Sequence, residues 1–252
     1  MQTPISNRSI THQRSCRPHR RGFTLVELLV VIVIIVVLAS LSFFGFNRFR
    51  DYSDRVNSSR NLSQIQLANA LYASDHNGRY VNQAAFGEGG QRSEFWYQNL
   101  AFLSYLTGGA TNASGEPVRA APSEFLDPKV YRAGRALHGS MAASYGMNQT
   151  GIDIQRGPDG SGRNVYFAAR ISNPSSSMAF ATATDQRVNY NARFNFDPEE
   201  DRKTSDGAMA YRHNDKALIV YFDGHIGEMT RGDIEDIDDR GGVNSAFWNP
   251  VR

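Results

Sequence analysis

The chain is 252 residues long, 40% hydrophobic and 21% charged, which supports one large or two small packed cores and excludes a disordered chain. Its formal charge of +2 is uneven: residues 1–22 hold five arginines and no acid, leaving 22 basic against 25 acidic residues beyond them. The body therefore has no basic footprint for nucleic acid, and a single cysteine, Cys16, excludes an internal disulfide.

In chain order, residues 1–22 form a basic leader. From Phe23 to Asn47 the chain is almost wholly apolar, and Val30 to Leu38 carry no polar side-chain atom. About 20 such residues make a helix of roughly 30 Å, the thickness of a bilayer core, so 23–47 is predicted as a transmembrane helix. Arginines precede the run and none follows until Arg48. This asymmetry predicts a single pass with a cytoplasmic N-terminus and an extracytoplasmic body. Glu27 is out of place here. A carboxylate one turn inside lipid costs on the order of 2–3 kcal/mol, so it reads as functional.

The stretch Gly22-Phe23-Thr24-Leu25-Val26-Glu27-Leu28-Leu29 resembles the processing site of type IV prepilins and type II secretion pseudopilins. The resemblance implies that a prepilin peptidase/methyltransferase of the inner membrane cuts after Gly22 and methylates the new N-terminal Phe23. It also implies other pilin or pseudopilin subunits and an inner-membrane assembly platform as partners, with the fibre ending in the periplasm or at the cell surface. Within such a fibre, Glu27 is expected to pair with the α-amino group of a neighbour's Phe23, fixing axial register as a buried ion pair. Two other readings compete. Arg20-Arg21-Gly22-Phe23 also resembles a twin-arginine export signal, with a small-residue cleavage site at Leu38-Ala39-Ser40. A plain signal anchor carrying a periplasmic binding or hydrolytic domain is the third. Only the prepilin reading gives Glu27 a role at its fixed spacing from Gly22 and Phe23.

Beyond the apolar run, Phe49, Tyr52 and Val56, then Leu62, Ile65, Leu67, Leu71 and Tyr72, keep helical spacing. No proline occurs between Phe23 and Pro117, so one helix is predicted from Phe23 to about His76, its extension 48–76 amphipathic. Gly78 supplies the stop, and Gly45 is the expected soft point. Residues 77–252 read as one globular head. Ser93 to Thr107 predicts a short helix burying Trp96, Leu100 and Leu103, and Gly108 to Pro122 a loop. Ser144 to Asn148, Val165 to Ala168 and Met178 to Thr182 predict strands, with a turn-rich tip at 157–162. Asp197 to Asp206 is a solvated acidic loop.

The segment from His213 to His225 predicts a hairpin, with Asp223-Gly224 as its turn and Ala208 to Met229 as a three-strand meander. His213, Asp223 and Gly224 resemble the H-X9-DG signature of a prepilin-like subgroup, and Trp96, Tyr105 and Ser144 to Asn148 agree with it. Asp127-Pro128 stands where that subgroup has Cys-Pro, so the disulfide the subgroup implies is excluded. His213 and Asp223 lack the nucleophile or phosphate loop that would make them catalytic. The simplest role is a turn aspartate and a histidine that pins a loop. No cofactor is expected. Calcium is the one alternative, from carboxylates among Glu199, Glu200, Asp201, Asp206, Asp215 and Asp223, though their spacing is not that of an EF-hand. The reading is an α+β, pilin-like structural subunit rather than an enzyme, with an antiparallel β-sheet head behind a long N-terminal helix.

Overall fold

The computed structural model describes residues 23–112, 114–133, 141–203 and 205–251, without the side chains at 42–45, 47 and 203. The leader, with Cys16 and Gly22, lies outside the described residues. Helix α1 (Leu25–Asp75) is continuous through Gly45, within two residues of the predicted bounds. It ends where Gly78 takes φ 75° and its amide donates to the Ala73 carbonyl at 2.8 Å, the left-handed cap that glycine adopts without steric cost.

The chain divides into two compact units, residues 1–48 and 49–252. In the first, every large apolar side chain described from Leu25 to Leu41 is between 44% and 82% exposed. Among the described residues no helix is long and apolar enough to cross a membrane. The transmembrane helix predicted over 23–47 is therefore not shown.

The second unit is an α+β head. After α1 come β1 (Ala84–Phe86), β2 (Arg92–Phe95), α2 (Leu100–Thr107), α3 (Pro128–Arg132), β3 (Tyr145–Asn148), β4 (Asp153–Arg156) and β5 (Gly162–Val165). Then follow β6 (Met178–Thr182), β7 (Arg187–Val188), β8 (Phe196–Asp197), β9 (Arg202–Lys203), β10 (Lys216–Tyr221), β11 (Ile226–Thr230) and α4 (Arg231–Gly241). One sheet has the order β11-β10-β6-β3-β7, antiparallel except for the parallel pair β3 and β7. A second, β2-β1-β5-β4, is antiparallel throughout, and β8 pairs only with β9.

Leu62, Ile65, Ala68 and Tyr72 of α1 enter the main core with Trp96, Phe102, Phe180, Leu218 and Val220. The same face carries buried amides that make long-range bonds. Gln66 donates to the Phe222 carbonyl at 2.8 Å, Asn69 accepts from the Val81 amide at 3.0 Å, and Asn61 donates to the Glu124 carbonyl at 2.9 Å. Each satisfies a backbone group that burial would otherwise leave without a partner. A second core gathers Met178, Ile219, Tyr211, Ile234, Phe247 and Trp248. Its C-terminal segment is tied in by backbone and side chain: Asn148 donates to the Trp248 carbonyl at 2.9 Å and the Met178 amide to the Phe247 carbonyl at 3.1 Å.

Several expectations change. The Ala208–Met229 meander has two strands, because β11 and β6 already occupy both edges of β10. Ala208 to Arg212 instead meets the end of β6 through a single Ala183–Met209 bridge. The predicted 93–107 helix opens as strand β2 and a 3-10 turn, and α2 starts only after Asn99 caps it by accepting from the Phe102 amide at 2.9 Å. Leu100 is consequently 41% exposed, while Trp96 and Leu103 are fully buried. The Val165–Ala168 strand lies earlier, at β5, and runs into a 3-10 turn at Ala168–Arg170. Helix α4 was not expected.

Candidate functional site

Phe23 lies just outside α1 and is 81% exposed. Thr24 and Glu27 close a reciprocal pair at the helix start. The Glu27 Oε2 accepts from the Thr24 amide at 2.8 Å and from its hydroxyl at 2.9 Å, while the Glu27 amide donates to Thr24 Oγ1 at 3.2 Å. This is a capping box, and it satisfies amides that have no partner within the helix. The acid also sits at the positive end of the helix dipole. The Thr24-x-x-Glu27 spacing is the sequence signal for this cap, placed at the head of the apolar run.

The other candidate residues stand around β10, and His213 and Asp223 do not meet. They flank opposite ends of the strand and hold different partners. His213 is buried, and its Nε2 lies 2.8 Å from Oδ2 of the fully buried Asp127, 86 residues away in sequence. Asp127 also caps α3, its Oδ1 accepting from the Lys129 amide at 2.9 Å, and its own amide donates to Ser144 Oγ at 3.0 Å. Burial acts to raise the Asp127 carboxyl. The His213 bond, the charges of His213 and Arg212 and the Lys129 amide outweigh it, holding the group below the usual aspartate range. Lys129 and Arg132 of α3 then pair with Asp51 and Asp54 of α1. His213 thus pins the turn before β10 to the start of α3, and the Lys129 and Arg132 pairs tie α3 to α1.

At the other end of β10, Asp223 Oδ1 contacts His225 Nδ1 at 2.6 Å and accepts from its amide at 3.1 Å. Gly224 takes φ 94° in the turn, a value that favours glycine. Asn214 and Asp215 also have positive φ, 54° and 58°, and form the tight turn in which His213 and Lys216 exchange backbone bonds at 3.2 Å, the geometry of a type I′ hairpin.

The acids considered for calcium do not converge. Asp206 pairs with Arg187, Asp201 with Arg212, Glu200 with Arg202 and Asp223 with His225. Among the described residues no three histidine, cysteine or carboxylate side chains are placed to hold a metal ion. Each of these four carboxylates already has a cationic or imidazole partner.

Residues 17–43 match the family model of the prokaryotic N-terminal methylation motif. The chain carries that methylation motif. The match is consistent with a prepilin-like family and takes in Gly22, Phe23 and Glu27 together. In general terms the motif supports a type IV pilin-like or pseudopilin subunit, processed by a peptidase and assembled with other subunits. Proteins with this motif are structural subunits. The match ends before the head, and the H-X9-DG subgroup is not shown. No characterised protein and no solved structure matches the chain.

Proposed function

We propose that the chain is a structural subunit of a type IV pilus-like or type II secretion pseudopilus fibre. The prepilin peptidase cuts the Gly22–Phe23 bond, Phe23 becomes the N-methylated terminus, and the apolar run anchors the subunit in the inner membrane until assembly. The head is then extracytoplasmic. The observation that carries this reading is the methylation motif over residues 17–43. The sequence supports the anchor as well, since its apolar letters continue past Leu41 to Phe46, enough for the roughly 30 Å of a bilayer core.

The capping geometry refines the role of Glu27. Both bonds from Thr24 end on Oε2, and among the described residues nothing donates to Oε1. One oxygen therefore secures the helix start while the other is available to a neighbour's Phe23 amine.

The test is intact mass of protein purified from its native membrane. Loss of residues 1–22 with a gain of about 14 Da for one methyl group fits this reading alone. Mature protein of normal size from a variant with a bulky residue in place of Gly22 would overturn it.

A further inference from the structure

We infer that the Phe49–Val56 stretch of α1 is an interfacial collar that docks on an anionic lipid surface before assembly. The inference rests on the membrane-anchored reading above. Phe49, Tyr52 and Val56 are 69%, 57% and 46% exposed, and their i, i+3, i+7 spacing puts them on one face. Arg50, also exposed, has no ion-pair partner among the described residues, and the Arg55 guanidinium lies 5.4 Å from the Tyr52 ring centroid.

The acids of these turns are engaged elsewhere. Asp51 is paired with Lys129 at 3.2 Å, Asp54 with Arg132, and Glu228 with Arg55 at 3.2 Å. What remains toward solvent is two aromatic rings, a valine and an uncompensated cation. Aromatic rings partition to the headgroup level of a bilayer, and Arg50, on the same turn but around the helix from them, reaches lipid phosphate at that level because headgroups surround an anchored helix. In the sequence, the apolar run ends at Phe46, three residues before Phe49. That is where an anchored chain leaves the hydrocarbon.

A second copy of the chain is the rival occupant. The face continues to Leu67 and Leu71, 59% and 46% exposed, beyond the polar Arg60 and Ser63. A protein partner would cover both stretches. A lipid surface covers only the first, because Leu67 lies about 22 Å farther along the helix than Tyr52.

The experiment uses the full chain with Cys16→Ser, carrying a fluorophore through either Tyr52→Cys or Leu67→Cys. Each is reconstituted in vesicles with nitroxide-labelled headgroups, one set phosphatidylcholine, the other mixed with phosphatidylglycerol. The expected result is quenching at position 52 and not at 67, strongest with phosphatidylglycerol. Arg50→Glu should lower it more than about fivefold, since loss of one cation at such a surface already accounts for that factor and the new carboxylate adds repulsion. Quenching at 52 that ignores both lipid charge and Arg50→Glu overturns the anionic assignment. Shielding of both labels from lipid assigns the face to a second copy. Flotation after carbonate washing separates the two readings: a chain that fails to float overturns the anchor and the collar together, whereas a floating chain unquenched at 52 overturns the collar alone.

Discussion

The two parts of α1 invert the usual relation between polarity and burial. Residues 25–41 are the most apolar in the chain, yet all their large side chains are exposed. Residues 49–75 are far more polar, yet Ser58, Asn61, Gln66 and Asn69 are at most 6% exposed. Hydropathy alone therefore says little about where a helix finds its partner. The head buries α1 because a sheet and loops present carbonyls and rings to it, and amides on the helix complete the bonding. The N-terminal part offers almost only aliphatic surface, which has no such bonds to make.

The largest test of this contrast is a pair of truncations. Ile65→Ala, in the buried face, should cost the head about 2–5 kcal/mol by lost contacts and a residual cavity. Ile32→Ala should leave head stability unchanged. Chemical denaturation in detergent, followed by tryptophan fluorescence, reads both, since Trp96 and Trp248 are buried in the head. Equal effects would mean that the N-terminal part also packs on the head.

A smaller effect tests the buried amides. Asn69→Leu leaves the Val81 amide without its acceptor and takes a donor from Gln66, at about 1–3 kcal/mol. If the variant were as stable as the parent, burial of apolar surface alone would account for the docking of α1.

Acid sensitivity belongs to the head. The Asp127 carboxyl is held below its ordinary value in the folded state, so its contribution is complete above the unfolded aspartate value near 3.9. It is lost as pH falls through the lower folded value. Asp127→Asn should flatten the acid limb of the stability curve by at most about 1.4 kcal/mol per pH unit, the limit for one proton. An unchanged limb would assign acid lability to other carboxylates.

The smallest effect lies at the helix start. Thr24→Val removes the capping hydroxyl and should cost about 1 kcal/mol locally. Amide exchange at residues 25–28 should quicken while Trp96 fluorescence and head unfolding stay as they were.

What the sequence made legible was local. The absence of proline and the stop at Gly78 bounded α1, and Asp223-Gly224 marked the β10–β11 turn. Partners far apart in sequence were not legible. Nothing in the periodicity joins His213 to Asp127, and the β2-β1-β5-β4 sheet is two short hairpins of three- and four-residue strands joined through the distant pair β1 and β5. Helix α4 was hidden by its acidic composition, with Ile234 and Ile237 as its few apolar positions. Its Thr230-x-x-Asp233 capping box was the available signal. The Leu100 expectation failed because Asn99 caps α2 and sets its start at Leu100, seven residues later than Ser93.

The tie between Asn148 and Trp248 also has a meaning in time. The two are 100 residues apart, and at about 5–20 residues per second of synthesis that interval takes roughly 5–20 s. Until the segment around Trp248 has emerged, the Asn148 amide holds only the Met178 carbonyl, the Met178 amide lacks its Phe247 acceptor, and the second core stays open. A head of this design closes its second core only when nearly the whole chain has been made.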